Sequence, residues 1–121
     1  MSRLSILIFS ADALAAALMA GAVELAGHRL HFASPEEPAR TALRRVRPDV
    51  VLIDCDHSES CADSFIGPAI MTGARAILFR SPHTRRDVRE LTSHLHVTVL
   101  NLPDDAARIA DILASPGSDS R

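Results

Sequence analysis

Asp54 closes an apolar run, Val50-Val51-Leu52-Ile53, and opens the stretch Asp54-Cys55-Asp56-His57, where two carboxylates, a thiol and an imidazole crowd together. With His83, which follows a later apolar run, these acids and His57 spell a candidate His-Asp-Asp metal cluster, since imidazole and carboxylate are common metal ligands. Histidines in polar loops are more often solvated than ligating, so the expectation is that His57 and His83 face water. Cys55 and Cys61 have neither CxxC spacing nor a histidine at zinc-finger distance, which predicts no zinc site and no disulfide framework. No Ser-His-Asp or Cys-His arrangement stands beside Cys55, so it is expected to pack rather than react. The segment Ser10-Ala11-Asp12-Ala13 has no glycine-rich phosphate cradle and no DxHxxG cobalamin signature. His94 and His96 straddle the end of a predicted helix and the start of a strand, and the helix dipole accounts for His94.

Five short apolar runs must position these groups: Ile6-Leu7-Ile8-Phe9, Leu30-His31-Phe32, Val50-Val51-Leu52-Ile53, Ala76-Ile77-Leu78-Phe79 and Val97-Thr98-Val99-Leu100. Runs of this kind, alternating with helical periodicity, predict a parallel sheet buried on both faces. The first helix is expected over Ala11 to Ala26, with Leu14, Leu18 and Leu25 along its buried face, Met19 and Val23 widening that face, and Gly27 as the stop. Ser34-Pro35-Glu36-Glu37 reads as a helix start, with a hydroxyl cap, Pro at the first position and a reciprocating Glu, for a helix running to about Val46 before Pro48. Ser60 with Asp63 suggests a third start, for a helix that Gly67-Pro68 and Gly73 keep short or broken. Thr84 with Asp87 predicts a fourth helix through about Leu95, and Pro103-Asp104-Asp105 a fifth, with acids where the dipole favours them. Right-handed crossovers then give one α/β domain, residues 1–114, with helices on both faces. The polar stretch 115–121 is expected to be a disordered tail, and this tail together with the initiating Met favours a freestanding protein.

Composition narrows the function classes. At 121 residues with 47% hydrophobic and 23% charged residues, the chain has the make-up of a water-soluble domain able to bury a core without disulfides or a structural metal. A formal charge of -2 gives no basic footprint, and the arginine clusters Arg44, Arg45, Arg47 and Arg85, Arg86, Arg89 have acids nearby, so they are assigned to solvated faces rather than to nucleic acid. Without Trp or Tyr, the chain lacks the aromatic platforms of base or flavin stacking. No apolar stretch approaches the roughly 20 residues that span a bilayer, so no membrane partner is expected. Two cysteines without a framework suit a reducing, cytoplasmic setting.

Gly27-His28-Arg29-Leu30, then Ala33-Ser34 opening a helix, then Arg47-Pro48-Asp49-Val50-Val51-Leu52-Ile53-Asp54, resemble the receiver domains of bacterial response regulators, over about residues 3–114. The resemblance implies a single-domain, flavodoxin-like, doubly wound (βα)5 fold, its five parallel strands in the order 2-1-3-4-5. It also implies that Asp54 matches the aspartate that accepts a phosphoryl group from a histidine kinase.

The rest of the implied machinery is altered. Ser10 and Ala11 occupy the positions of the acidic pair that holds magnesium in receivers, and neither supplies a carboxylate. Magnesium takes hard oxygen ligands and neutralises charge in phosphoryl transfer, so their loss weakens both, with Asp12 and Asp56 as the only substitutes at hand. The switch Ser or Thr falls near Arg80-Ser81, with Arg80 the closer match, and a guanidinium there could pair with Asp54. The lysine before a proline aligns with Leu102, followed by Pro103, where the resemblance implies a cis peptide. The chain therefore resembles a degenerate pseudo-receiver. The function this implies is a non-enzymatic, phosphorylation-independent interaction module without cofactor, binding a histidine kinase, another receiver or a second copy of itself. Receivers commonly pair through a face that here carries Arg85, Arg86, Arg89 and Glu90 against Asp104, Asp105, Arg108 and Asp111. Two alternatives stand beside it: a phosphorylatable regulator with Mg²⁺ held by Asp54, Asp12 and Asp56, and a small ligand-binding flavodoxin-like domain.

Overall fold

A computed structural model describes residues 3–95 and 97–115. His96 and residues 116–121 of the expected tail lie outside the described residues. Strands β1 (Ser5–Phe9), β2 (Arg29–Phe32), β3 (Val50–Asp54), β4 (Arg75–Arg80) and β5 (Thr98–Asn101) alternate with helices α1 (Ala13–Leu25), α2 (Ala39–Val46), α3 (Asp63–Met71), α4 (Arg89–His94) and α5 (Ile109–Ala114). A single 3₁₀ turn, Ala106–Arg108, leads into α5. Every strand pair is parallel and the order is β2-β1-β3-β4-β5, which is a flavodoxin-like arrangement.

The continuous apolar runs of β1, β3 and β4 are explained by burial on both faces, whereas edge strand β2 has no buried residue. Each residue of β3 is buried, and alternate side chains of β1, β3 and β4 feed two separate cores. Leu7, Phe9, Val51, Ile53 and Leu78 pack against α2 and α3 on one face, while Ile6, Ile8, Leu52, Ile77 and Phe79 pack against α1 and α5 on the other. Each such side chain contributes roughly 1.5–3 kcal/mol relative to exposure. The Arg47-Pro48-Asp49 triplet ties this sheet together. Arg47 ends α2 in the left-handed region at φ 51, and Asp49 accepts the Ser5 amide at 2.8 Å, joining the approach to β3 to the first residue of β1.

Helix boundaries and faces depart from the sequence expectations in instructive ways. Asp12, not a residue within the helix, caps α1 by accepting the Leu14 amide at 2.9 Å. The face of α1 is also turned: Ala15, Met19 and Val23 are buried, whereas Leu14 and Leu25 stand in solvent and Leu18 is half exposed. Small Ala15 lets the helix lie close to β1, and bulkier leucines would hold it off. Ser34-Pro35-Glu36-Glu37 forms one capping-box-like turn, Glu37 receiving the Ser34 amide at 3.2 Å, but α2 starts only after Pro38 because Pro38 drives Glu37 out of helical geometry. Ser60 pairs with His57 rather than capping α3, whose N-cap is Ala62. Helix α3 runs unbroken through Gly67 and Pro68. Pro68 has no amide for the Ser64 carbonyl, and Arg40 supplies the missing donor at 3.1 Å from α2. Helix α4 begins at Arg89 rather than at Thr84, whose hydroxyl is used elsewhere, as described below.

Candidate functional site

At the carboxyl end of the sheet, Asp54 is 3% exposed and surrounded by donors of its own chain. Its Oδ2 accepts the Ser10 hydroxyl at 2.9 Å and the Ala11 amide at 3.1 Å, and its Oδ1 accepts the Asp56 amide at 2.9 Å. Ser10 Oγ also lies 2.9 Å from the Asp12 carbonyl, but its single proton favours the charge-assisted bond to the carboxylate. The register of β1 against β3 sets Phe9 beside Ile53, so the next turn of backbone passes over Asp54. Ser10 and Ala11 thus meet the aspartate at the positions where the resemblance implied acids, and they present an O–H and an N–H instead of carboxylates.

These groups do not fit the implied magnesium ion. A divalent cation needs oxygen acceptors converging on it, whereas Ser10 and Ala11 direct donors into that space. Asp12 spends a carboxylate oxygen on the α1 cap, and Asp56 accepts the Thr84 hydroxyl at 3.0 Å. No group of three His, Cys, Asp or Glu side chains converges among the described residues. No buried side-chain nitrogen or oxygen lacks a partner among them either.

Arg80 ends β4 half-buried, with no ion pair to Asp54 among the described residues. Its charge acts on Asp87 and Cys55. The loop after β4 is organised by Thr84, which accepts the Ser81 amide at 2.9 Å and donates to Asp56, locking this loop to the one after β3. Ser81 Oγ accepts the His83 amide at 3.2 Å. Thr84 is therefore not the helix cap that its spacing from Asp87 predicts. The spacing from Ser81 to Thr84 is also that of a local hydroxyl turn, the signal that identifies its role. His57 departs from the expected solvated state: its ring sits 5.6 Å from Phe9, its Nδ1 pairs with Ser60 at 2.7 Å, and Phe9 in turn meets Phe65 edge-on at 5.1 Å. His83 is exposed, as expected.

Cys55 and Cys61 are both fully buried beneath this loop and interact with one another. The Cys61 sulfur beside it, and then burial, push the Cys55 thiol well above the ordinary cysteine range. That suits a packing role. Leu102 is buried, its amide bonding the Arg80 carbonyl at 2.7 Å, and the Leu102-Pro103 peptide is cis.

On the charged face, Arg85, Arg86, Arg89, Glu90, Asp104, Arg108 and Asp111 are exposed, and Asp105 is half-buried. Arg89 holds Asp87 of its own chain at 2.8 Å, and Arg108 holds Asp105 at 3.4 Å. At the other end of the sheet, a surface depression of about 470 Å³ is lined by Arg3, Glu24, His28, Arg29 and His31, where His28 Nδ1 accepts the Leu4 amide at 3.0 Å. No helix among the described residues is long and apolar enough to cross a membrane. No known family model matches this chain, and no curated protein matches it.

Proposed function

We propose that this chain is a receiver-like signalling protein that acts as a phosphorylation-independent interaction module in a bacterial two-component-type pathway. One observation carries the reading: the Asp54 carboxylate, at the position matching a phosphoacceptor, holds the Ser10 hydroxyl and the Ala11 and Asp56 amides. Phosphoryl transfer to a carboxylate requires a free oxygen in line with the donor and a cation to neutralise developing charge. Here both oxygens are engaged, and Ser10 and Ala11 supply no carboxylate. The same bonds brace the loops after β1 and β3 against each other, which suits a surface held in one conformation. Its partners on this reading are a cytoplasmic histidine kinase or another receiver, met through the charged face around α4 and α5, and no cofactor or catalytic residue is assigned.

The test is incubation of the protein with Mg²⁺ and acetyl phosphate, read by intact mass, with Asp54→Asn as control. The expected result is no phosphoryl adduct on either protein. An adduct on the wild type that the control loses would overturn the reading and make Asp54 a working phosphoacceptor.

A further inference from the structure

Helix α1 carries an apolar stripe that its own fold leaves uncovered. Leu14 is 80% exposed, Leu18 40% and Leu25 92%, with Gly21 between them. At 3.6 residues per turn these four positions fall within about 60° of one another, well away from the Ala15, Met19 and Val23 face that covers the sheet. Their spacing alternates four, three and four residues, which is the seam of a coiled coil rather than a scatter of surface leucines. Gly21 sharpens the point. A glycine inside a helix costs about 1 kcal/mol relative to alanine, and a Cβ added at Gly21 would meet nothing within 4 Å. Nothing among the described residues therefore accounts for its small size.

We propose that this stripe is a self-association surface, on which a second copy of the chain lays its own α1 antiparallel. The stripe is self-complementary about the midpoint between Met19 and Ala20, which Leu14 and Leu25 flank symmetrically, as do Leu18 and Gly21. A two-fold axis there sets Leu14 of each copy against Leu25 of the other and seats each Leu18 in the gap above the opposite Gly21. Ala17 beside the seam allows close approach. Glu24 is the only charged residue within α1, so a parallel pair would set Glu24 against Glu24, whereas an antiparallel pair separates the two and brings each to the other helix's amino-terminal turn, which Asp12 already caps. A net charge of -2 opposes association little.

The exposed leucine surface amounts to roughly 400 Å² per copy, the scale at which apolar patches mark contacts. Doubled and rimmed by Ala17, it reaches about 1,000 Å², the lower end for a specific interface, so the dimer is concentration-dependent. This pairing builds on the interaction-module reading by naming a face and a partner. Its test reads association state, whereas the phosphodonor test reads mass, so either can fail alone.

Sedimentation of the full chain over about 1–500 μM should show a reversible monomer–dimer equilibrium. Leu14→Lys and Leu25→Lys, each at a position too exposed to disturb folding, should weaken it at least about tenfold, while Arg85→Glu with Arg89→Glu should leave it unchanged. For geometry, Leu14→Cys and Leu25→Cys proteins are mixed under a mild oxidant. The mixture should form a cross-linked heterodimer while neither variant cross-links alone, Cys55 and Cys61 being buried. A monomer throughout the range, association that follows the arginines instead of the leucines, self-cross-linking of the single variants, or assembly seen only on phospholipid vesicles would each overturn the proposal.

Discussion

Asp54 illustrates how the neighbours of a carboxylate decide its chemistry. Surrounded by acids it would gather a cation; surrounded by a hydroxyl and two amides it becomes a structural acceptor. The residue type at position 54 was legible in the sequence, and so was the loss of carboxylates at Ser10 and Ala11. That the Ala11 main chain would itself bond Asp54 was not, because an amide looks the same in every sequence. Asp87 shows a simpler effect. Arg89 donates to it in a fork at 2.8–3.1 Å, and that hydrogen bonding, then the Arg89 backbone amide, holds its carboxyl at about 2, below the ordinary 3.8. A depressed carboxylate stabilises the fold once pH exceeds the unfolded value, and the contribution fades as pH falls from about 4 through about 2. An NMR titration should find Asp87 the more acidic for Arg89, with Arg89→Ala returning it to the usual carboxylate range and high salt narrowing the difference.

At the scale of elements, α1 and α3 carry the lessons. Periodicity identified α1 correctly but pointed its leucines inward, because a helix apolar on nearly every side offers no contrast from which to choose a face. Shape made the choice, since the sheet accepts Ala15, Met19 and Val23 at close range. Met19→Ala should therefore cost about 2–5 kcal/mol in denaturant unfolding. Leu25→Ala, measured at dilute protein concentration, should stay within about 0.5 kcal/mol. In α3 the proline that suggested a broken helix is accommodated because Arg40 reaches the Ser64 carbonyl from α2, a long-range contact invisible to any local rule.

Across the whole molecule, the core on the α2–α3 face of the sheet extends into the loop after β3, where Cys55 and Cys61 lie fully buried. Their reactivity is governed by opening of the fold and not by their own chemistry. An aromatic disulfide reagent should modify them at least about 100-fold more slowly in the native protein than in denaturant, with both reacting once it unfolds. Fast modification of either thiol in native conditions would mean that this loop opens independently of the sheet.

The strand runs, their parallel pairing and the helix after each strand followed from the amino-acid sequence alone, because a strand buried on both faces has to be apolar at every position. The cis peptide at Leu102-Pro103 was expected only through the resemblance, since an X-Pro bond is permitted but not required to be cis. Tertiary structure alone decided which face of α1 meets the sheet, that Thr84 would bind Asp56 rather than cap a helix, and that Ser10 and Ala11 would close over Asp54. Each of those outcomes depends on distances between residues far apart in the chain, and no local pattern encodes such distances.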